Sequence, residues 1–336
     1  MQVQQNYPLK KYNTFGIDAY AKYFSAFSSV DELTSLITYH SSLITLILGG
    51  GSNILFTKNF DGLVLKNKIK GITTVHENED HIYVKAGAGE NWHDFVLHCI
   101  DNNFAGVENL SLIPGNVGAS PMQNIGAYGV EIKDVFYSLE AYHISEKKLA
   151  TFTLNDCGFG YRDSVFKTKY KDQFVILTVT YRLNKNPLYN ISYGAIKEEL
   201  EKMNVAELDI EAISQAVINI RSSKLPDPNI IGNAGSFFKN PEVSGDKFKM
   251  LKAKFENIVG YKLNNGNIKL AAAWLIEQCG WKGYRRCDAG CHTQQALVLV
   301  NYGKATGKEI FDLSEEIKQS VKDKFDVVLV REVNII

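Results

Sequence analysis

Three side chains in this 336-residue sequence have the types and settings expected for chemistry on an anionic substrate. Arg162 lies in Gly-Tyr-Arg-Asp-Ser, and its planar guanidinium matches the geometry of a carboxylate. Ser236 lies in Asn-Ala-Gly-Ser-Phe-Phe-Lys-Asn, and Glu332 lies close to the last residue. Each also has an ordinary structural explanation: an ion pair with Asp163, a capping or turn serine, and a solvated glutamate. Their roles therefore depend on the elements that position them.

A glycine-rich loop follows an apolar run over 43–48 and reads Gly49-Gly50-Gly51-Ser52-Asn53. Glycines allow positive φ angles and let several backbone N–H groups point at one anion, as in a pyrophosphate-binding loop. The dinucleotide fingerprint G-x-G-x-x-G fails because the sixth position is Ile54, and no Gly-Lys-Ser/Thr follows as in a Walker A loop. The residues alone leave a tight structural turn and an anion site equally open.

A second loop, from Ile113 to Gly129, contains four glycines, two prolines and three amides. Loops of this length are usually functional or disordered. The apolar residues Ile113, Val117 and Ile125 argue against disorder. The composition favours an ordered loop whose backbone approaches a flat ligand, over the alternative of a long structural connection.

The surrounding pattern predicts mixed helices and strands. Ser28 and Ser29 stand at capping-box spacing from Asp31 and Glu32, and Thr306 from Glu309, so both pairs predict helix starts. Apolar periodicity predicts two helices over 92–100 and 270–278, and three more that end near His40, Arg221 and Val321. It also predicts strands over 43–48, 62–66, 82–86, 137–144, 174–183, 294–301 and 327–333. Pro226 and Pro228 mark a domain junction.

Composition excludes several classes of protein. Lys plus Arg and Asp plus Glu number 37 each, so we expect no broad basic field and no nucleic-acid partner. No run approaches the roughly 20 apolar residues of a membrane span, and the polar start predicts a cytoplasmic protein. Five cysteines without a signal sequence predict free thiols. The spacing of Cys287, Cys291 and His292 matches no standard zinc pattern, so we expect no metal.

An ordered series of motifs makes the sequence similar to a known family. The motifs are Asn13-Thr14-Phe15-Gly16, the two glycine loops, Gly160-Tyr161-Arg162-Asp163-Ser164, Lys224-Leu225-Pro226-Asp227-Pro228, residues 232–241 and Gln294-Gln295-Ala296-Leu297-Val298-Leu299. Together they resemble the longer type of the UDP-N-acetylenolpyruvoylglucosamine reductases of bacterial cell-wall synthesis.

The resemblance implies an α+β protein with an FAD-binding fold of the vanillyl-alcohol-oxidase (PCMH) type and an additional α/β substrate-binding domain. It implies flavin subdomains at 1–68 and 69–223, a substrate domain at 224–325, and a C-terminal strand at 326–336 that returns to the active site. It also implies non-covalent FAD, NADPH as co-substrate, a UDP-sugar substrate and a role in peptidoglycan synthesis, and hence in cell shape and division. We expect a monomer.

The resemblance also assigns residues to roles. Arg162 would bind the substrate carboxylate, Ser236 would donate a proton, and Glu332 would help to polarise the enolpyruvyl group. The implied cofactor-binding residues are Gly49, Gly50, Gly51, Ser52, Asn53, Pro114, Gly115, Ser120, Ile125, Gly126 and Arg221. The implied substrate-binding residues are Tyr128, Tyr193, Lys224, Asn240, Tyr261, Lys282 and Gln295.

The sequence departs from the family pattern at Asn334, where an arginine near the flavin is expected after Glu-Val. Two alternatives stay open at this stage. One is another flavin oxidoreductase of the same fold, such as an oxidase with histidine-linked FAD, although neither glycine loop contains a histidine. The other is a nucleotide-binding regulatory protein, which would not need Arg162, Ser236 and Glu332 together.

Overall fold

The computed structural model describes residues 2–336 as a mixed α and β protein. The strands are β1 (Gln4–Pro8), β2 (Tyr20–Phe27), β3 (Thr45–Leu48), β4 (Ile54–Leu55), β5 (Phe60–Asn67), β6 (Ile72–Glu77), β7 (His81–Gly87), β8 (Gly126–Ala127), β9 (Val130–Glu131), β10 (Phe136–His143), β11 (Lys148–Thr153), β12 (Phe174–Asn184), β13 (Gly232–Ser236), β14 (Glu242–Val243), β15 (Gly260–Lys262), β16 (Ile268–Leu270), β17 (Arg285–Arg286), β18 (Ala289–Cys291), β19 (Val298–Asn301) and β20 (Asn334–Ile335). The helices are α1 (Val30–Tyr39), α2 (Trp92–Asp101), α3 (Ile132–Val135), α4 (Gly194–Lys202), α5 (Ile210–Lys224), α6 (Gly245–Lys254), α7 (Ala272–Gln278) and α8 (Gly307–Phe325).

The chain forms two compact units. The first comprises residues 1–7, 21–50 and 61–223, and the second comprises residues 8–20, 51–60 and 224–336. The division of the sequence into four segments at 68, 223 and 325 stays a prediction.

The first unit contains two sheets. One is antiparallel, in the order β11-β10-β12-β7-β6, and the other has the order β1-β2-β5-β3, with β3 parallel to β5. Helix α2 packs its apolar stripe against the antiparallel sheet, where Trp92, Phe95 and Tyr181 are fully buried in one core. Trp92 also donates its backbone N–H to Gly115 O at 3.0 Å and its indole N–H to Leu110 O at 2.9 Å. Because α2 is buried, these two bonds fix the position of the residues that lead into the second glycine loop.

The second unit is organised around α8. The sheet β13-β19-β18-β17 packs against this helix through β18 and β19. The buried stripe of the helix is Ile310, Leu313, Ile317, Val321 and Phe325, which is the spacing of one helical face. The sheet presents Ser236 at the end of β13.

Both predicted helix starts are capped, and the one at Thr306 forms a complete capping box. Ser29 Oγ accepts from Glu32 N at 3.2 Å, and the Glu32 carboxylate accepts from Ser28 N at 2.6 Å. Thr306 Oγ1 accepts from Glu309 N at 3.2 Å, with the reciprocal bond at 2.7 Å. These side chains satisfy donors that a helix start leaves without a partner, so both helices begin where the sequence predicts.

The structure corrects several predicted boundaries. The helix predicted to end near Arg221 continues to Lys224, just before the two prolines. The helix predicted over 270–278 begins at Ala272 because Leu270 belongs to β16. The strand predicted over 294–301 begins at Val298, where a turn with Val298 N donating to Gln295 O ends.

The predicted closing strand over 327–333 is wrong. Its side chains alternate between buried and exposed, as Val327 and Val328 do, but only Arg331 forms a bridge, to Phe238. The strand at this end of the chain is instead β20, which pairs in parallel with β4. Alternation records burial on one side of an extended segment, and it does not specify a hydrogen-bonded neighbour.

Two further searches concern the described residues. No helix within residues 2–336 is long and apolar enough to cross a membrane. Over the same residues, no three His, Cys, Asp or Glu side chains are grouped so that they could hold a metal ion.

Candidate active site

The two glycine loops meet within the first unit. A Cβ atom built on Gly50 would lie 2.8 Å from both Gly115 Cα and Asn116 Oδ1. Real Cβ atoms do not approach other atoms so closely, so the backbones touch only because position 50 is glycine.

The Lys66 ammonium donates to Gly49 O beside this contact, and burial lowers the Lys66 pKa. The contact joins Gly49 and Gly50 to Gly115, three of the predicted cofactor-binding residues.

The end of the second loop is tied to the segment that carries Arg162. Asn124 is fully buried, and its Nδ2 donates to Gly160 O and to Glu131 Oε2, each at 3.0 Å. Its Oδ1 accepts from Lys133 N at 3.0 Å. Asn124 was not among the predicted site residues, and the signal for it was an amide in a glycine-rich loop.

Arg162 occupies the tip of a tight turn. Gly160 N donates to Asp163 O at 3.1 Å and Asp163 N donates to Gly160 O at 3.3 Å, with Arg162 at φ +52° between them. A non-glycine residue in this left-handed region carries strain on the order of 1 kcal/mol. The guanidinium donates to Gly126 O and lies 5.3 Å from the centre of the Tyr161 ring. The turn thus aims Arg162 at the glycine loop, at the predicted cofactor residue Gly126.

A second arginine of the first unit belongs to the same cluster. Burial lowers the pKa of Arg221, the Tyr128 hydroxyl opposes this shift through a hydrogen bond, and the charge of Arg162 lowers the Arg221 pKa further. Arg221 Nε also donates to Leu112 O at 3.3 Å. A buried arginine whose pKa is lowered by the positive charge of a second arginine indicates a site suited to an anion.

His93 supports this cluster from the start of α2. Its Nδ1 accepts from Leu112 N at 3.1 Å, while Leu112 O accepts from Arg221. Burial lowers the pKa of His93, Asp94 opposes that shift, and Arg221 adds to it. The neutral imidazole that accepts this bond was not predicted from the sequence.

Other predicted residues of the first unit have mixed surroundings. Ser120 is fully buried, with its hydroxyl 2.7 Å from Tyr181 OH in the core. Ile125 N donates to Ser120 O at 3.1 Å, which closes the turn before β8. The rings of Tyr128 and Tyr193 meet edge to face, with centroids 5.3 Å apart.

In the second unit, Ser236 follows a bulge in β13. The register against β19 shifts between Asn233 and Ser236, and Gly235 has φ +69°. Asn233 is buried; its Oδ1 accepts from Gly235 N at 2.9 Å, and its Nδ2 donates to Pro226 O at 3.0 Å. Bulges redirect the side chains beside them, so Asn233, which was not predicted as a site residue, sets the direction of Ser236.

Glu332 lies on the segment beside Ser236. Glu332 N donates to Phe237 O at 2.9 Å, which places these two backbones next to each other. Asn53 Nδ2 donates to Glu332 O at 3.4 Å, and Asn334 donates through its Nδ2 to Asn53 O at 2.9 Å. The structure therefore brings together the predicted residues Ser236, Glu332 and Asn53. The asparagine that departs from the family pattern anchors this part of the chain.

Gly51 is also held within the second unit. Its φ is +69°, and a Cβ atom there would lie 1.9 Å from Tyr12 O, so only glycine fits.

The remaining predicted residues of the second unit have separate surroundings. Asn240 Oδ1 accepts from Ala272 N at 3.0 Å, Gln295 Oε1 accepts from Leu297 N at 3.4 Å, Lys282 pairs with Glu277 at 2.9 Å, and Tyr261 and Lys224 are exposed.

Known proteins match the chain from end to end. It is 54% identical to the UDP-N-acetylenolpyruvoylglucosamine reductase of Amoebophilus asiaticus, with 100% of both sequences covered. It is 51% identical to the reductase of the same name from Flavobacterium johnsoniae, again over 100% of both. The chain belongs to the UDP-N-acetylenolpyruvoylglucosamine reductase family.

Two family models match parts of the chain. Residues 227–336 match the C-terminal domain of UDP-N-acetylenolpyruvoylglucosamine reductase, and residues 21–144 match an FAD binding domain. The crystal structure of the reductase from Thermus caldophilus superposes with a TM-score of 0.69 at 22% identity, covering 100% of this chain and 99% of that one. The predicted α+β flavin-binding fold is thereby confirmed.

The residues of the first unit fit FAD. Gly50 and Gly115 bring backbone without side chains together, with the Asn116 amide beside them, and close approach to a dinucleotide requires such bare backbone. The paired guanidinium groups of Arg162 and Arg221 suit a negatively charged ligand. In a reductase of this family, these are the groups of the first unit that could hold the cofactor.

Proposed function

We propose that the chain reduces the enolpyruvyl ether of UDP-N-acetylglucosamine to UDP-N-acetylmuramate, with non-covalent FAD and with NADPH as co-substrate. The observation that carries this proposal is the 54% identity, over full length, to a protein named for that reductase activity. The reaction belongs to the synthesis of the bacterial cell wall. The monomeric state and the cytoplasmic location stay predictions from the sequence.

Hydride transfer between NADPH and the terminal carbon of the enolpyruvyl group is the chemistry that bound FAD would supply. Arg162 is the proposed partner of the substrate carboxylate, into which negative charge spreads when that hydride arrives. Its planar guanidinium supplies two parallel N–H donors in a fixed geometry. The strained turn at φ +52° and the anchor to Gly126 support this role, because they hold the donors in place before substrate binds.

Ser236 is the proposed proton donor to the carbon beside the carboxylate. A hydroxyl is a weak acid, but the carbon that it protonates is a strong base in the transition state. The bulge and the buried amide of Asn233 support this role because they fix the direction of the side chain.

Glu332 is the proposed residue that helps to polarise the enolpyruvyl group. Support comes from its backbone bond to Phe237, which places it one residue from the proposed proton donor. In its neutral form, its carboxylic acid group would donate a hydrogen bond to the developing enolate. Glu332→Ala removes this donor, whereas Glu332→Gln keeps an N–H donor and removes the titration. We expect Glu332→Ala to lose rate, and an unchanged rate in that variant across the pH profile would remove Glu332 from the mechanism.

The remaining residues are proposed to bind the ligands. For FAD they are Gly49, Gly50, Gly51, Ser52, Asn53, Pro114, Gly115, Ser120, Ile125, Gly126 and Arg221. For the UDP-sugar and the nicotinamide they are Tyr128, Tyr193, Lys224, Asn240, Tyr261, Lys282 and Gln295. The internal bond of Ser120 to Tyr181 gives its hydroxyl a role in the core, so we expect its contribution to the cofactor to come through the backbone.

The product of the reaction tests the proposal directly. The purified holoenzyme is incubated with NADPH and the enolpyruvyl ether in deuterated water, and the product is analysed by mass spectrometry and NMR. We expect a reduced sugar product that carries solvent deuterium at the carbon beside the carboxylate. Oxidation of NADPH without any change in the sugar would refute the proposed substrate.

A further inference from the structure

Asn109 is a buried amide between two tyrosine-bearing segments of the first unit. It is 1% exposed and lies in a short 3-10 turn. Its Nδ2 donates to Tyr128 O at 3.0 Å and to Asn190 O at 2.8 Å. One amino group therefore joins the end of the second glycine loop to the connection between β12 and α4.

The orientation of this amide follows from its partners. Both are carbonyl oxygens, which only accept, so the NH2 group must face them. Asn109 Oδ1 is buried and has no hydrogen-bond partner within residues 2–336. A buried acceptor without a hydrogen bond costs stability. The Asn109 side chain therefore makes its two bridging bonds at the cost of a hydrogen bond to its Oδ1.

A second amide links the same two segments. Asn190 Nδ2 donates to Gly129 O at 3.0 Å, and its Oδ1 accepts from Ser192 Oγ at 2.8 Å. Gly129 has φ +84°, and a Cβ atom there would lie 3.0 Å from Asn190 Nδ2. We refer to Asn109 and Asn190 as the amide clamp.

The amide clamp holds a strained and exposed part of the chain. Tyr128 has φ +50°, a conformation that side chains other than glycine rarely adopt. Leu188 is 82% exposed and Tyr193 is 50% exposed, so these two side chains contribute little to ordering the connection, in which Ile191 packs against the core of α4 and α5. The edge-to-face contact of Tyr128 and Tyr193 therefore depends on backbone anchors nearby.

We propose that Asn109 and Asn190 are positioning residues that pre-organise Tyr128 and Tyr193 for the sugar substrate. The inference rests on the proposed function, which places both tyrosines in the substrate pocket. When only a fraction of the enzyme has the binding-competent arrangement, the apparent affinity falls by that fraction. Saturating substrate restores the arrangement, so the clamp acts on KM rather than on kcat.

Two isosteric variants test this role. Asn190→Asp replaces the donor to Gly129 by a carboxylate oxygen at a half-exposed position, and Asn109→Asp replaces both bridging donors at a buried one. We expect KM for the sugar to rise about fivefold or more, as for the loss of one hydrogen bond, with kcat within about twofold and FAD content unchanged. Asn102→Asp, which removes an exposed amide bond to His98 O, is the matched control and should leave KM unchanged.

A double-mutant cycle separates positioning from a general structural role. Tyr193→Ala removes the ring that the clamp is proposed to position. If the clamp acts through Tyr193, adding Asn190→Asp to Tyr193→Ala should raise KM little further, because coupled residues are not additive. Additive effects on KM or an unchanged KM in Asn190→Asp would each overturn the inference. A rise in KM that is accompanied by a matching loss of bound FAD would overturn it as well.

Hydrogen exchange on the unliganded holoenzyme distinguishes this failure from failure of the proposed function. We expect Asn190→Asp to speed amide exchange in residues 126–132 and 190–194 together, whatever the substrate is. If the wild-type enzyme does not turn over the sugar while this coupled exchange is observed, the proposed function is wrong and the clamp stands. Normal wild-type turnover with unchanged exchange in the variant would overturn the clamp alone.

Discussion

At the scale of single residues, buried polar side chains that bond to backbone groups hold the segments that carry the proposed catalytic residues. Asn124 and Asn233 each bridge backbone groups from separate segments. Asn124 bonds to the turn that carries Arg162, and Asn233 bonds to the residue before Ser236. A buried amide that satisfies several backbone groups costs little when paired and much when removed. The backbone around Arg162 and Ser236 is therefore held by amides that are not among the proposed site residues.

Replacing Ser236 should separate the two half-reactions. In Ser236→Ala we expect flavin reoxidation by the sugar to slow by about 10²–10⁴-fold, as when a general acid is lost. Flavin reduction by NADPH should be unchanged because it needs no proton from this residue. Stopped-flow absorbance measures both steps, and the exposed Ser145→Ala serves as control. Equal slowing of both steps would point to misfolding or to a different role.

Replacing Arg162 should affect sugar binding through geometry rather than through charge. Arg162→Lys keeps the charge and loses the planar pair of donors, so we expect kcat/KM for the sugar to fall about 10–100-fold. The exposed Arg182→Lys on β12 controls for loss of a guanidinium elsewhere in the same unit. Steady-state kinetics with the sugar as the varied substrate gives the ratio. A kcat/KM within twofold of the wild type would exclude the carboxylate contact.

His93 should make the protein less stable in mild acid. Its pKa is lowered in the folded state, so below the unfolded value of about 6.5 the unfolded chain binds the proton first. The free energy of unfolding then falls with decreasing pH until the folded pKa is reached, and it is unaffected above about pH 7.5. His93→Asn keeps an acceptor for Leu112 N and removes the titration.

The measurement for His93 is urea unfolding of the wild type and the variant at pH 7.5 and pH 5.5. We expect the loss of stability between these pH values to be smaller in His93→Asn. An identical loss in both proteins would assign the acid sensitivity to other groups.

At the scale of elements, the contact between the two glycine loops is the most sensitive feature of the first unit. Gly50 lies two residues after the end of β3. Gly115 O accepts a hydrogen bond from the backbone N–H of Trp92, the first residue of α2. The contact exists because two separate elements bring bare backbone to the same place. A side chain at position 50 would part the loops.

Gly50→Ala should therefore weaken FAD binding. Its Cβ would lie 2.8 Å from Gly115 Cα, and overpacking of this kind typically costs about 1–3 kcal/mol, or roughly 5–150-fold in the FAD dissociation constant. Gly194→Ala is the matched control because a Cβ atom there meets nothing within 4 Å. Fluorescence titration of the apoprotein with FAD measures both constants. Equal constants for the two variants would contradict a role for the loop contact.

Helices were the elements most open to prediction from the sequence, because their starts are encoded locally. The N-cap bonds at Ser29 and Thr306 need only residues three apart, and the buried stripe of α8 repeats within one helix. The closing strand failed because pairing depends on a distant segment, and the alternation over 327–333 contains no information about it. The bulge before Ser236 and the amides at positions 109, 124 and 233 likewise depend on tertiary partners.

At the scale of the whole molecule, family membership follows from the full length of the chain rather than from a single motif. Each glycine loop alone left a structural turn open, and Ser236 alone was better explained as a turn residue. The ordered series of motifs removed that ambiguity, and the relatives match it over 100% of the chain. The proposed activity is a property of the complete protein, so it is tested on the intact holoenzyme.

The most direct test is an anaerobic spectrum of the flavin. The holoenzyme is reduced with NADPH until its visible absorbance is bleached, and the enolpyruvyl ether of UDP-N-acetylglucosamine is then added without oxygen. We predict that the flavin absorbance recovers in proportion to the sugar added. Recovery only after oxygen is admitted would contradict the proposed substrate and would favour an oxidase or another flavin reductase of the same fold.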